Sequence, residues 1–291
     1  MTTPLWRERA SIPVRALKGV VIAAIIAVMV YPFVYVVLAS FGTNNSFKRF
    51  GLVPSEFSFE AYGSILSGGV VTRALFVSIG ITLVGTALSV FLTATLAYGL
   101  SRTREVPGTR AVLYLVLVTM FFAAGIIPTY LLVKGLGLID SYWSLILPSL
   151  VSAFNMVVMR NFFMRLPKEL LDAARIDGAG EWQTFLRIVL PLSKAVIAVI
   201  ALFYAVAYWN SFFNAILYLN DATKWPIQLV LNQYVLQGAS LSQIQNPEAP
   251  QPPAEAVQMA VVVLSTLPIV IVYPFLQRYF SKGVLTGAVK G

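Results

Sequence analysis

Six stretches dominated by apolar residues, at about 17–40, 74–100, 111–133, 142–159, 195–219 and 257–277, limit what this chain can fold into. Each approaches or exceeds the roughly 20 residues that a helix needs to cross a bilayer. None carries Lys, Arg, Asp or Glu near its centre. Within lipid every backbone N–H and C=O must be satisfied inside the protein, which leaves helices or a closed barrel. A barrel would show short alternating strands, and the sequence has none of that pattern. The expectation is an all-α polytopic protein with six transmembrane helices. It forms one membrane domain over 17–291, behind a polar N-terminal tail at 1–16. Composition agrees: 58% of the 291 residues are hydrophobic and 11% charged, against about 25% charged in a soluble domain.

The net charge of +9 could suggest nucleic acid, but its distribution points to topology instead. With the N-terminus placed in the cytoplasm, inner segments hold 16 of the 21 Lys and Arg: four in the tail, three in 102–110, six in 160–194 and three at the C-terminus. Acidic residues divide six and six. This is the positive-inside bias of an inner-membrane protein with both termini cytoplasmic, and it requires no nucleic-acid partner. Arg7, Arg9, Arg15 and Lys18 followed by an apolar run imitate a signal peptide. The run extends well beyond an h-region of roughly 7–15 residues, so we read an uncleaved first span.

The sequence also excludes much chemistry. It contains no cysteine and no histidine, so disulfides, thiol nucleophiles and the commonest general base and metal ligand are unavailable. There is no GxxxxGK[ST] phosphate cradle. With no charge at mid-membrane, proton coupling has no obvious carrier. We expect no catalytic residue, no metal and no cofactor held by this chain.

The segments between spans are uneven. The turns at 101–110 (inner) and 134–143 (outer) are short, and an outer loop spans 41–73. The second span is rich in Gly80, Gly85, Thr82, Thr86, Thr93 and Thr95, small residues that let helices approach closely. An outer loop at 220–255 ends in QIQNPEAPQPPAE, a composition that predicts irregular chain. The C-terminal tail is taken as 278–291, with Lys282 and Lys290.

The inner loop 160–194 is the longest charged segment. Pro167 suits the first position of a helix, and Glu169 then faces the positive dipole end. Gly178 fits the left-handed position past a helix end. A second short helix is predicted from about 180 to 189, with Pro191 opening the fifth span. Ala173, Ala174, Gly178 and Ala179 permit close approach by another protein, and Asp172, Arg175, Asp177 and Glu181 offer charges for pairing. Read physically, the loop is either an amphipathic linker at the membrane surface or a docking site.

DAARIDG, followed nine residues later by IVLP, resembles the EAA-x3-G-x9-I-x-LP signature of ATP-binding-cassette (ABC) importer permeases. Ala173, Ala174, Gly178, Ile188, Leu190 and Pro191 match it, and Asp172 replaces the usual Glu. LVKGLGLIDSYWSLILPSLVSAFNMVVMRNFF and QRYFSKGVLTGAVKG look like MalG-type carbohydrate permeases. GAGEW and YAVAYWNSFFNAILYL are similar to the subgroup for plant- or alga-derived oligosaccharides, including alginate-type importers. The resemblance implies the type I ABC importer permease fold and an ATPase-coupling helix with Glu169, Asp172, Ala173, Ala174, Arg175, Asp177, Gly178 and Ala179. It also implies the partners: a second homologous permease, two ATPase subunits that hold ATP and Mg, an extracytoplasmic solute-binding protein, and the bilayer. By the same resemblance, Gln243–Gln251 would reach toward the binding protein and Ser281–Gly291 toward the ATPases, although a connector and a solvated tail explain those segments equally well.

For the cargo path the candidates are Asn155 on the fourth span and Tyr204, Tyr208, Trp209, Asn210 and Asn214 on the fifth. Aromatic rings stack on the apolar faces of a sugar and amides bond its hydroxyls. The same residues also serve as glue between membrane helices. Met156 and Met159 are read as packing. A permease for another solute and an autonomous secondary transporter are the alternatives, though no internal repeat supports the latter.

Overall fold

The computed structural model describes residues 12–42, 56–67, 69–102, 106–122, 124–237 and 254–288. Backbone alone is described from 275 onward. The described residues are helical, with no strand. Helix α1 is Ile12–Ala39, α2 Glu60–Leu66, α3 Val70–Ser101, α4 Thr109–Phe121, α5 Ile126–Gly135, α6 Trp143–Ile146 and α7 Ala153–Phe163. Then come α8 Lys168–Ile176, α9 Glu181–Thr184, α10 Leu190–Leu192, α11 Lys194–Trp209, α12 Phe212–Tyr218, α13 Ile227–Gln237 and α14 Ala254–Ala288.

All six expected spans are helical, but they are not six continuous rods. Three helices among the described residues are long and apolar enough to cross a membrane alone, within α1, α3 and α14. The fourth span is a bent pair: α6 and a 3-10 turn meet α7 at 49°. The fifth span does not open at Pro191. Residues Glu181–Leu192 form one helical stretch that meets α11 at 83°, with Ser193 at the bend. The third span is two short helices, because Phe122 turns extended and ends α4 before Gly125 restarts the chain. Apolar composition runs straight through these breaks.

Other boundaries also differ from expectation. Helix α1 extends to Ile12, inside the expected polar tail. The first half of the 220–255 loop is ordered as α13, with Ile227, Leu229 and Val230 buried. The segment expected as a tail is helical to Ala288 as part of the 35-residue α14. Gln243–Gln251 lies outside the described residues.

The described residues form two compact units, one from the segments up to Ser67 and 254–264, the other from 69–237 and Ser265 onward. In the first, the end of α1 is clasped by the segment before and through α2. Ser40 and Tyr62 share a 2.7 Å hydrogen bond, and Phe41 packs against Phe59 and Tyr62 at 5.2 and 5.1 Å.

The second unit is built on α3. Its buried face repeats every three or four residues as Ala74, Ser78, Ile81, Gly85, Ser89, Thr93 and Ala97, the spacing of one helical face. Of the small residues singled out in the sequence, Gly85 and Thr93 lie on this face. Gly80 meets open space, and Thr95 bonds its own Phe91 carbonyl. Helix α11 lies antiparallel against this face, its Val196, Ile200, Tyr204 and Tyr208 buried at four-residue spacing. Side-chain bonds close the remaining edges. Arg160 donates to the Leu100 carbonyl at the end of α3 (2.8 Å), and the Ile227 N–H opening α13 donates to Ser78 (2.7 Å). Met156 and Met159 are fully buried in this core.

Candidate functional site

The break in the fourth span and the interruption between α11 and α12 in the fifth open onto one cavity. Its volume is about 570 Å³, and its lining runs from Leu145 to Asn155 and from Phe203 to Asn214. Val151 and Ser152 come from the break before α7, and Ser211 from the break between α11 and α12. Irregular backbone at membrane depth is tolerated where it is buried in protein or lines an aqueous space, which accounts for two interruptions sharing one cavity. No charged residue lines it.

Four of the six path candidates, Asn155, Tyr204, Tyr208 and Asn214, line this cavity together. The tyrosine hydroxyls are committed elsewhere. Tyr204 pairs with Thr93 of α3 at 2.7 Å and accepts from the Ser152 N–H at 2.8 Å. Tyr208 pairs with Ser89 at 2.8 Å and donates to the Ile146 carbonyl at 3.3 Å. Their hydroxyls thus satisfy backbone groups near the fourth-span break, and their rings face the cavity. The amides of Asn155 and Asn214 make no hydrogen bond among the described residues, so they remain available. Trp209 and Asn210 lie away from the cavity. Trp209 donates to the Ser265 carbonyl at 2.9 Å in a buried contact. Asn210 donates to the Val206 carbonyl one turn back on its own helix. Ser211 was not singled out in the sequence. It lines the cavity, and its hydroxyl is buried without a partner. Its position three residues before Asn214, just past an aromatic-Asn pair, was the signal available.

The charged loop forms a second site. Helix α8 starts one residue later than the sequence suggested, with Pro167 as its N-cap and Lys168 first. Glu169 lies in its first turn and Arg175 in its last, both matching the helix dipole. Asp177 caps the end and Gly178 takes φ +77°. The Gly178 N–H bonds the Arg175 carbonyl and the Ala179 N–H bonds the Ala174 carbonyl, at 3.0 and 2.9 Å. That pair of bonds is the Schellman closure that a glycine at this position permits.

Ala174 is buried, whereas Asp172, Ala173, Arg175 and Asp177 are exposed and Ala179 is half-buried. Ile176 projects at 86% exposure. Helix α9 does not stop at 189. It widens into a π-helix over Phe185–Val189 and continues through α10. Glu181 ties the loop to α3: it accepts from Tyr98 at 2.7 Å and Arg102 at 3.1 Å, and lies 3.6 Å from Arg175. Phe185 packs with its ring centroid 5.0 Å from that of Tyr98, tilted by 33°.

A third feature joins the turn after α5 to the segment after α12. Asp140 is the one non-glycine residue among those described with positive φ, +61°. Its N–H donates to the Tyr218 carbonyl (2.7 Å), and its carboxylate accepts from the Asn220 and Asp221 N–H groups. Lys224 donates to its carboxylate at 2.8 Å and to its carbonyl at 2.9 Å. The Lys224 bond, then the Asp221 N–H, hold the Asp140 carboxyl below its ordinary range, and Asp140 raises Lys224.

Interrupted apolar helices around an uncharged cavity, with a charged helix pair at their end, define the membrane-spanning subunit of a transport system. The chain belongs to the family of binding-protein-dependent transport system inner membrane components, whose model matches residues 108–286. It is 47% identical over 268 residues to the polygalacturonan/rhamnogalacturonan transport system permease protein YtcP of Bacillus subtilis, covering 91% of this chain and 93% of that one. It is 28% identical to the arabinooligosaccharides transport system permease protein AraQ of the same organism, covering 90% of each. A solved bacterial ABC transporter involved in import of the acidic polysaccharide alginate superposes with a TM-score of 0.86 at 28% identity, covering 96% of this chain and 100% of that one. These relatives are transport subunits, not enzymes, and the type I permease fold is that of the alginate transporter chain.

Proposed function

We propose that the chain is the permease subunit of an ATP-driven importer that passes oligosaccharides from an extracytoplasmic binding protein to the cytoplasm. The observation that carries this reading is the shared cavity of two interrupted spans. It is free of charge, walled by Phe154, Phe203, Tyr204 and Tyr208, and supplied with the Asn155 and Asn214 amides. Rings and amides suit the two kinds of surface a sugar presents. The names of the relatives agree with a carbohydrate cargo, several of them acidic.

In this reading a second homologous permease completes the pathway. Two ATPase subunits holding ATP and Mg lie on the cytoplasmic side, which also holds both termini. Helix α8 docks into an ATPase subunit. Asp172, Ala173 and Ile176 lie open for that contact, while Ala174 and the Glu181 tie carry its displacement into α3. Closure of the ATPases then rocks the spans, the binding protein releases sugar into the cavity, and hydrolysis resets the cycle.

The test uses Ile176→Asp and Asp172→Lys in the assembled importer. Both side chains are exposed, so membrane insertion and melting temperature are expected to stay unchanged. Binding-protein-stimulated ATP hydrolysis and oligosaccharide uptake are expected to fall at least tenfold. Normal uptake in both variants would remove the coupling role.

A further inference from the structure

Several sugars named among the relatives are acidic, yet the cavity holds no cation. The wall formed by α7 offers another means of binding an anion. Ser152 caps this 11-residue helix in an extended conformation and accepts the Asn155 N–H at 3.4 Å. The Ser152 N–H is taken by Tyr204. The next two N–H groups, of Ala153 and Phe154, have no acceptor among the described residues, as expected of a helix's first turn. They sit at the positive end of the helix dipole, equivalent to about half a charge. Val151, Ser152, Phe154 and Asn155 line the cavity, so this end borders it.

Two further observations point to a ligand. Asn155 is 5% exposed, lines the cavity, and has an amide bonded to no other described group. In the same lining, the Ser211 hydroxyl is buried and unpartnered. Backbone N–H, amide N–H and hydroxyl are all donors to a carboxylate.

We propose that the N-terminus of α7, with the Asn155 amide, is a carboxylate subsite through which the subunit accepts uronate-containing oligosaccharide. The proposal rests on the reading of this cavity as the sugar path. Partial charges suit a path better than a lysine would. A transported group must be held well enough to enter and loosely enough to leave, and a full charge at membrane depth is costly when the path is empty.

The experiment measures direct sugar binding to the assembled membrane and ATPase subunits without the binding protein, at low ionic strength. Trigalacturonate, its methyl ester and maltotriose are compared. The acid is expected to bind about fivefold tighter than the ester, the scale of a partly buried helix terminus. Asn155→Asp is expected to reverse that preference, read as the ratio of acid to ester binding. An aspartate in a helix's first turn is favourable for folding. Should that variant fail to assemble, Asn155→Leu removes the amide without adding charge and must lower the preference for acid. Equal binding of acid and ester, or an unchanged ratio in the variants, overturns the subsite and leaves the sugar path standing. If none of the three sugars binds, the sugar path falls and the subsite with it.

Discussion

Gly85 lies beneath the Tyr208 ring, so close that a side chain there has no room. A Cβ built on Gly85 would sit 2.8–2.9 Å from three atoms of that ring, against about 3.5–4.0 Å for relaxed carbon contact. Gly85→Ala therefore forces the ring outward, and with it the hydroxyl bonded to Ser89 at 2.8 Å. Overpacking of this kind costs about 1–3 kcal/mol. The lost hydrogen bond adds up to about 1 kcal/mol. In a helix interior free of contacts, the same change would instead stabilise by about 0.5–1 kcal/mol. The sign should thus depend on residue 208. In the native background, Gly85→Ala lowers the apparent melting temperature of the assembled importer by about 5 °C, at roughly 2–4 °C per kcal/mol. In a Tyr208→Ala background it raises it slightly. The coupling energy from the four proteins is about 1–4 kcal/mol, read from tryptophan fluorescence melts in nanodiscs. Equal effects of Gly85→Ala in both backgrounds would refute the close packing of α3 and α11.

Trp209→Phe removes the buried bond to the Ser265 carbonyl and should cost about 1 kcal/mol in melting experiments, with sugar affinity unchanged because Trp209 does not line the cavity. Gly178→Ala puts a Cβ at φ +77°, costs about 1–2 kcal/mol, and should lower uptake more than it lowers ATPase assembly, measured by co-purification. At Asp140, Gly should be tolerated better than Ala in melts, since both lose the carboxylate but only Ala meets the strain of positive φ. The Asp140 carboxyl titrates lower when folded than unfolded, so its stabilisation is present at neutral pH. It is lost as pH falls through the unfolded value near 4 and on through the folded one. The melting temperature of Asp140→Asn should accordingly show a weaker acid dependence than that of the native chain.

The sequence already held the positions of the apolar helical stretches and the glycine-closed helix of the loop. Apolar runs mark the membrane whatever their internal geometry, and Gly178 marks a helix end because of its backbone freedom. The breaks were not legible in the same way. Gly125 and Pro128 read as residues tolerated within one continuous third span, because hydropathy reports only the environment of side chains. The π-helix at Phe185–Val189 leaves no compositional trace. Among the path candidates, residue type located helices that line the cavity but not which of their residues face it. Trp209 and Asn210 lie one turn or less from Tyr208, yet they turn to Ser265 and to their own helix. Ser211 was passed over because its spacing to Asn214 is a weak signal until the chain breaks beside it.

Tyr204 and Tyr208 have a mechanical consequence. Each is a strut of fixed length, pinned at one end to α11 and at the other to both α3 and the chain on either side of the fourth-span break. Turning α11 by a single residue, about 100°, would pull both struts out together. Sliding it would shear two hydrogen bonds against each other. Helices α3, α7 and α11 therefore travel as one block. The hinges left for a rocking cycle are those the struts do not span, the 83° elbow at Ser193 and the interruption at Asn210–Ser211. One elbow sits at the charged loop and the other at the cavity, so in the proposed cycle a push at the first would tilt the block and reshape the second without repacking the core between them.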